Sequence, residues 1–501
     1  MIALDREVTL SENQRSPIEP TALDLVVKLC NALAVEEIDY CHWKSNAALD
    51  RSASGKNDLD LLVNRLHAQR FAELLYRLGF KEVFAPKEDE LPGVRNYYGY
   101  DPGTGRLVHV HAHFQLVLGS DLSKNYRLPL EKLYLESAGQ QGLFRVPAPA
   151  FELVIFVVRM ILKHSSWDTI LMGHSRLSPS EQGELEYLST PDILVSARAI
   201  LQYVPGLSTT LFEDCLQALQ PGCSLWRRVR VGEQLQNVLR SSARVPHFED
   251  VIVKFTQRLW QPLQRRVFRY KPKNRMANGG LFVAIVGGDG AGKTTVVDEL
   301  SQWLSRTFEV RKVHMGKPAW SWVTVALRGI LKIGTLLRLY TFEGDVYEEF
   351  HQPHGLPWFV RAVCTAQDRY QTYVRARRFS SNGGLVFCDR FSFSGFMEMD
   401  GPQCGQALTS LKKVNWLQMR LAKMEATYYE QIKVPDLLIV LKVNPDIAVR
   451  RKTEESETSV HARSSEVYEL DWREKQAFVI DASLAREDVL AQVKALVWAH
   501  F

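Results

Sequence analysis

The stretch that most constrains this 501-residue chain is "LFVAIVGGDGAGKTTVVDEL", residues 281–300. Its first six residues form an unbroken apolar run, which suits a strand buried on both faces. The next segment satisfies G-x-x-x-x-G-K-[ST] from Gly287 to Thr294, and Val296, Val297, Leu300, Trp303 and Leu304 then recur at helical spacing. A strand, a glycine-rich loop and a helix start in that order form a cradle for phosphate, because backbone N–H groups converge where no side chain blocks the approach. Gly287, Gly288, Asp289, Gly290, Ala291, Gly292, Lys293, Thr294 and Thr295 are therefore the expected triphosphate-binding residues. Lys293 would reach the β- and γ-oxygens, and the Thr294 hydroxyl would ligate Mg²⁺. ATP and Mg²⁺ are the expected cofactors.

Around this loop the chain divides at changes of pattern. "YKPKNRMANGG" is polar, carries a proline and ends in two glycines, so it marks a boundary before residue 280. Beyond it, strand and helix patterns alternate, which predicts a parallel sheet with helices on both faces. Residues 1–150 read as an α+β unit, and residues 151–279 as a helical connector ending in a basic linker. From Arg227 to Met276 there are thirteen Lys or Arg against three Asp or Glu, a pattern that fits a solvated helical face. The whole chain has a formal charge of only +5, which does not argue for a nucleic-acid partner or a membrane surface. The seven cysteines lack any C-x-x-C pair, and the longest apolar stretch, "FELVIFVVRMILK", is interrupted by Arg159. A reduced, cytoplasmic protein without a spanning segment is the expectation, with homodimerisation left open.

"GGDGAGKTT", followed about a hundred residues later by "GGLVFCDRFSFSG", resembles the thymidylate kinase family. "TAQDRYQTYVRARRFSSNGG", "VPDLLIVLKVNPDIAVRRK" and "FVIDAS" agree with it, in the family's order and over residues 280–501. The resemblance implies a P-loop kinase fold. It implies that Asp289 faces the acceptor or assists the metal, that Arg369 holds an acceptor phosphate, that Asp389 lies by Mg²⁺, and that Arg390 binds acceptor or phosphate charge. Some family members carry an arginine just before the final Gly-Lys, and others supply it from a lid. Ala291 occupies that position here, so Arg450, Arg451 and Arg463 of the lid segment become the candidate catalytic cations. The chain also departs from the family. Thr365 stands where an aromatic residue stacks on thymine, "VHMGKPAWSW" replaces an Arg-Glu-Pro segment, and "SFSGFMEMDG" replaces the usual continuation. The resemblance thus implies a phosphotransferase acting on a small phosphorylated or hydroxylated acceptor that need not be dTMP. Arg328, Lys332 and Arg338 on the amphipathic insert read as facing water.

A second resemblance lies near the amino terminus. "CHWKSNAALDRSASGKNDLDLLV" places Asp58 and Asp60 on one side of a strand, where two carboxylates can hold Mg²⁺ on a triphosphate, and is similar to the nucleotidyltransferase superfamily that includes DNA polymerase beta. Such enzymes need a third carboxylate on a later strand. The aligned position in "HVHAHFQL" is His111, with His109 and His113 on the same face. Three histidines at strand spacing lie about 7 Å apart, too far to share one tetrahedral ion. Two alternatives therefore stand beside the kinase reading: nucleotidyl transfer through Asp58 and Asp60 with the P-loop region as an ATP-binding regulator, or a non-catalytic nucleotide-binding scaffold.

Overall fold

A computed structural model describes residues 22–501 apart from 88–89, 121, 166–168, 170–175, 267–270, 338–354, 393–400, 412, 453–455 and 473–475. It is a mixed α/β protein whose chain divides into two compact units, one comprising residues up to Phe80 and Leu91–Leu259, the other Lys81–Glu90 and Trp260–Phe501. The helical stretch read as a connector thus clusters with the amino-terminal strands. The reason lies in Pro149–His164, an almost wholly buried helix whose Leu153, Val157, Ile161 and neighbours share one apolar cluster with Leu62, Leu116 and Leu128.

In the first unit, strands β1 (Tyr40–His42), β2 (Leu59–Val63), β3 (Val94–Asp101) and β4 (Arg106–His113) lie in the order β1-β2-β4-β3. β2 and β4 run parallel, with Asp60 opposite His111 and Leu62 opposite His113. Alternation along β4 buries Val108, Val110 and Ala112 under helices α1 (Asp24–Val35) and α2 (Ala68–Arg77), in a cluster that includes Leu29, Leu33, Phe71 and Leu75. His109, His111 and His113 consequently share the opposite face.

The second unit is built on five parallel strands: β5 (Leu281–Gly287), β6 (Val310–His314), β7 (Leu385–Asp389), β8 (Leu437–Lys442) and β9 (Phe478–Asp481), in the order β6-β7-β5-β8-β9. Every residue of β5 and β7 is buried, which explains why both read as unbroken apolar runs rather than alternating ones. Each such Val, Leu or Ile contributes about 1.5–3 kcal/mol on leaving water. The chain passes from β5 to the sheet edge at β6, returns through β7, and crosses to β8, so strand order reverses beside β5. In open α/β sheets a crevice opens at that reversal, outside the carboxyl ends of the strands. The unit's helices include α3 (Lys293–Ser305), α4 (Trp322–Leu336), α5 (Leu356–Ser381), α6 (Trp416–Glu430), α7 (Pro445–Arg451) and α8 (Glu457–Glu469). No helix among the described residues is long and apolar enough to cross a membrane.

Candidate active site

The loop 288–292 joins β5 to α3 as the sequence predicts. Gly290 and Gly292 sit at φ +76° and +85°, a region that L side chains rarely adopt, and this turns successive N–H groups toward one concavity. Two glycines here answer to the lid as well. A Cβ on Gly288 would lie 2.8 Å from Ser464, and one on Gly290 would lie 2.8 Å from the Ala448 carbonyl oxygen. Helices α7 and α8 therefore rest directly on the loop, and the Ser464 hydroxyl donates to the Asp289 carbonyl at 3.2 Å.

Lys293, only 7% exposed, donates to the carbonyls of Gly287 and Gly288 at 2.9 and 2.8 Å. Burial, with the Arg390 guanidinium as the second cause, pushes its ammonium down to about 8. Thr294 donates its hydroxyl to Asp389 Oδ2 at 2.7 Å, which brings together the loop and the end of β7. Asp389 Oδ1 is buried and accepts no hydrogen bond. A hydroxyl beside a carboxylate with one oxygen to spare is a hard, all-oxygen donor set, and it fits Mg²⁺. The next residue, Arg390, adopts φ +61°. This costly backbone state for a non-glycine residue points its guanidinium back at Asp289, 3.4 Å away.

Asp289 is 2% exposed and gathers four cations: Arg463 at 2.9 Å, Arg390 at 3.4 Å, Lys452 at 3.8 Å and Lys293 at 3.9 Å. Of the three lid arginines, only Arg463 reaches this carboxylate. Arg450 is exposed, and Arg451, also exposed, gives its Nη1 to the Ala482 carbonyl at 2.8 Å, at the end of β9. Lys452 is a lid cation that sequence reasoning passed over, although it directly follows the two arginines it considered. Ala291 is buried, and Thr295 sits exposed in the first turn of α3.

A cavity of about 320 Å³ in the same unit is lined by Arg369, which the resemblance sets on the acceptor side, and by Thr365. One stripe of α5, Trp358, Arg361, Ala362, Thr365, Asp368 and Arg369, forms a wall at helical spacing. Arg369 is 4% exposed and donates Nε to the Met315 carbonyl at 3.0 Å and Nη1 to the Tyr429 hydroxyl. Asp368 accepts from the Ser321 amide at 3.0 Å through one oxygen, and its other oxygen is buried without a hydrogen-bond partner. Thr365 does line the cavity, its hydroxyl turned to the Arg361 carbonyl at 3.0 Å, but Trp320 and Trp358 supply aromatic surface that residue 365 does not. Arg328 corrects the expectation that it faces water. It is half-buried, stacks on Trp320 at 4.1 Å and lines the cavity. Lys332 is exposed as expected. Arg338 and residues 393–400 of the departing "SFSGFMEMDG" segment lie outside the described residues.

In the first unit, Asp60 Oδ1 lies 2.9 Å from Lys44 Nζ, 3.2 Å from His111 Nδ1 and 3.4 Å from His113 Nε2, while Asp58 pairs with His109 at 3.0 Å. Lys44, foremost among the charged neighbours, holds the Asp60 carboxyl well below its usual range against the opposing effect of burial. The register that sets Asp60 against His111 leaves an imidazole where a third carboxylate was sought.

No protein-family model matches the chain. A thymidylate kinase of Trichodesmium erythraeum (strain IMS101) is 27% identical over 223 residues, 44% of this chain and 95% of that protein. A thymidylate kinase of Prochlorococcus marinus (strain MIT 9312) is 24% identical over 44% of this chain and 97% of its own length. The uncharacterized ATP-binding protein YghR of Escherichia coli (strain K12) is 24% identical over 43% of this chain and 86% of its own length. These distant relatives support a nucleotide-binding, kinase-like region, and none of the three spans more than 44% of the chain.

Proposed function

We propose that the second unit transfers the γ-phosphoryl group of ATP to a small anionic acceptor held in the cavity beside α5. The observation that carries this reading is the charge balance at the loop. Four cations meet around Asp289, and Asp389 stands beside Thr294 with an oxygen to spare. That excess of positioned positive charge suits a polyphosphate rather than a neutral ligand.

Phosphoryl transfer asks little covalent work of the protein, so positioning and electrostatics carry most of the rate. The loop amides and Lys293 hold the β- and γ-phosphates. Thr294 and Asp389 would hold Mg²⁺, which would supply positive charge against the phosphates. Arg463 and Lys452 reach the loop from the lid, and they meet the charge that spreads over the transferring group in place of the arginine that Ala291 lacks. Arg390 lies between Asp289 and the end of β7, where it orients the donor against the incoming oxygen. On the acceptor side, Arg328, Arg361 and Arg369 favour an anion. Trp320 and Trp358 offer flat apolar surface, and the unsatisfied oxygen of Asp368 favours a hydroxyl or amino group.

The test compares the wild-type chain with Lys293→Ala and with the double variant Asp58→Asn/Asp60→Asn, measuring ADP and pyrophosphate release across a panel of phosphorylated metabolites. ADP release lost only in Lys293→Ala supports the kinase. Pyrophosphate release lost only in the aspartate variant would establish nucleotidyl transfer instead, and ATP binding without turnover of any acceptor would favour a scaffold.

A further inference from the structure

The face shared by β2 and β4 holds a donor set that phosphoryl transfer in the other unit does not use. Asp60, His111 and His113 each offer one ligand atom, and the three atoms lie within 4.8 Å of one another. Asp60 Oδ1 stands 3.2 Å from His111 Nδ1 and 3.4 Å from His113 Nε2. Tetrahedral bonds of about 2.0–2.1 Å set neighbouring donors about 3.3–3.4 Å apart. Two edges of such a polyhedron are therefore already present. A further sign comes from His113, which is 6% exposed and whose buried Nε2 faces Asp60 Oδ1 at 3.4 Å without making a well-formed hydrogen bond. A buried imidazole nitrogen in that position is costly unless something ligates it.

We propose that this unit binds one divalent cation of the later first transition series, held by Asp60, His111 and His113. Two imidazoles to one carboxylate select zinc, cobalt or nickel over magnesium, which prefers all-oxygen shells. The objection that three histidines at strand spacing cannot share an ion does not apply, because the parallel register inserts a carboxylate from the neighbouring strand between two of them. Three protein ligands leave a fourth position open. Asp60 and His113 both line a cavity of about 310 Å³ in this unit, so water or an anionic oxygen can complete the shell. Lys44, 2.9 Å from the same carboxylate oxygen, competes with the cation for it. The neighbouring trio of Asp58, His109 and His111 is the rival seat, and Asp58 is its exposed member.

The full-length chain, freed of any affinity tag and without nucleotide, is titrated with Co²⁺ while the visible d–d bands are recorded, and zinc is then measured after dialysis. One equivalent with tetrahedral bands is expected. His113→Ala should weaken binding by more than about 100-fold, beyond the roughly 10–100-fold that loss of a supporting partner costs. Lys44→Met should tighten binding by about tenfold or more, an effect that a merely structural lysine would not produce. His109→Ala should leave the spectrum in place, and circular dichroism checks that each variant folds. Bands that survive His113→Ala but vanish in His109→Ala would move the ion to the rival trio and overturn the proposal. No tetrahedral cobalt in the wild-type chain, with Lys44→Met no tighter, would overturn it as well.

Discussion

Asp289 and Asp60 are both carboxylates largely withdrawn from water, one in each unit, and their surroundings differ in kind. Asp289 is ringed by two ammonium and two guanidinium groups, whereas Asp60 has one ammonium and two imidazoles. Permanent cations crowded together await an anion. Burial lowers His113 to about 4, so near neutral pH its ring offers a lone pair and little charge. On the two proposals, the same acidic side chain prepares one site for polyphosphate and the other for a metal cation, and the difference lies in what faces it.

The sharpest way to break this contrast is Lys293→Ala. ATP turnover should fall by about 10³-fold or more while the cobalt titration of the first unit stays unchanged; loss of both signals would mean that the two sites are not separate. Next comes the lid. Arg463→Ala should lower kcat about 100-fold with little change in the KM for ATP, while Arg451→Ala should stay within about threefold of wild type, since its guanidinium is engaged by Ala482. Equal losses in both would spread the catalytic charge along the lid. On the acceptor side, Arg369→Ala should raise the acceptor KM by roughly 10- to 100-fold, the worth of a charge-assisted contact, and leave the KM for ATP alone. Steady-state kinetics with each substrate varied in turn check this.

The smallest effect is a proton. Lys293 stands near 8 in the folded chain against 10.5 as a free side chain, so across that window the unfolded state binds more protons. The stability of the ligand-free protein should therefore rise with pH from about 8 to about 10.5. A polyphosphate restores the ammonium, so ATP binding at a pH of about 8.5 should take up part of one proton. Calorimetry in two buffers of unequal ionisation heat reads this directly, and proton release on binding would contradict the placement of Lys293.

The loop was legible because its logic is local. Strand, glycines, lysine and helix follow within twenty residues, and the buried strands announced themselves as unbroken apolar runs. Asp389 came from the resemblance, through the Asp-Arg-aromatic motif in "GGLVFCDRFSFSG". What escaped was set by distant contacts. The pairing of Arg463 with Asp289 spans the lid, and nothing in "AVRRKTEESETSVHARSSEVYE" ranks that arginine above Arg450 or Arg451. Arg328 was misassigned because helical spacing tells which residues share a face, not what the face meets. The carboxylate between His111 and His113 depends on the register of β2 against β4, which no single strand encodes. The stripe from Trp358 to Arg369 was visible at helical spacing, but the motif reading began only at Thr365 and missed its first turn.

That stripe has an evolutionary consequence. On the proposed function the donor phosphates rest on the loop after β5, while six residues of the cavity project from one face of α5 and Trp320, Arg328 and Tyr429 join them from other segments. That reading sets donor binding and acceptor choice on separately mutable parts of the second unit. On the proposed function, substitutions along this face of α5 would alter the acceptor preference while leaving the loop 288–292 untouched.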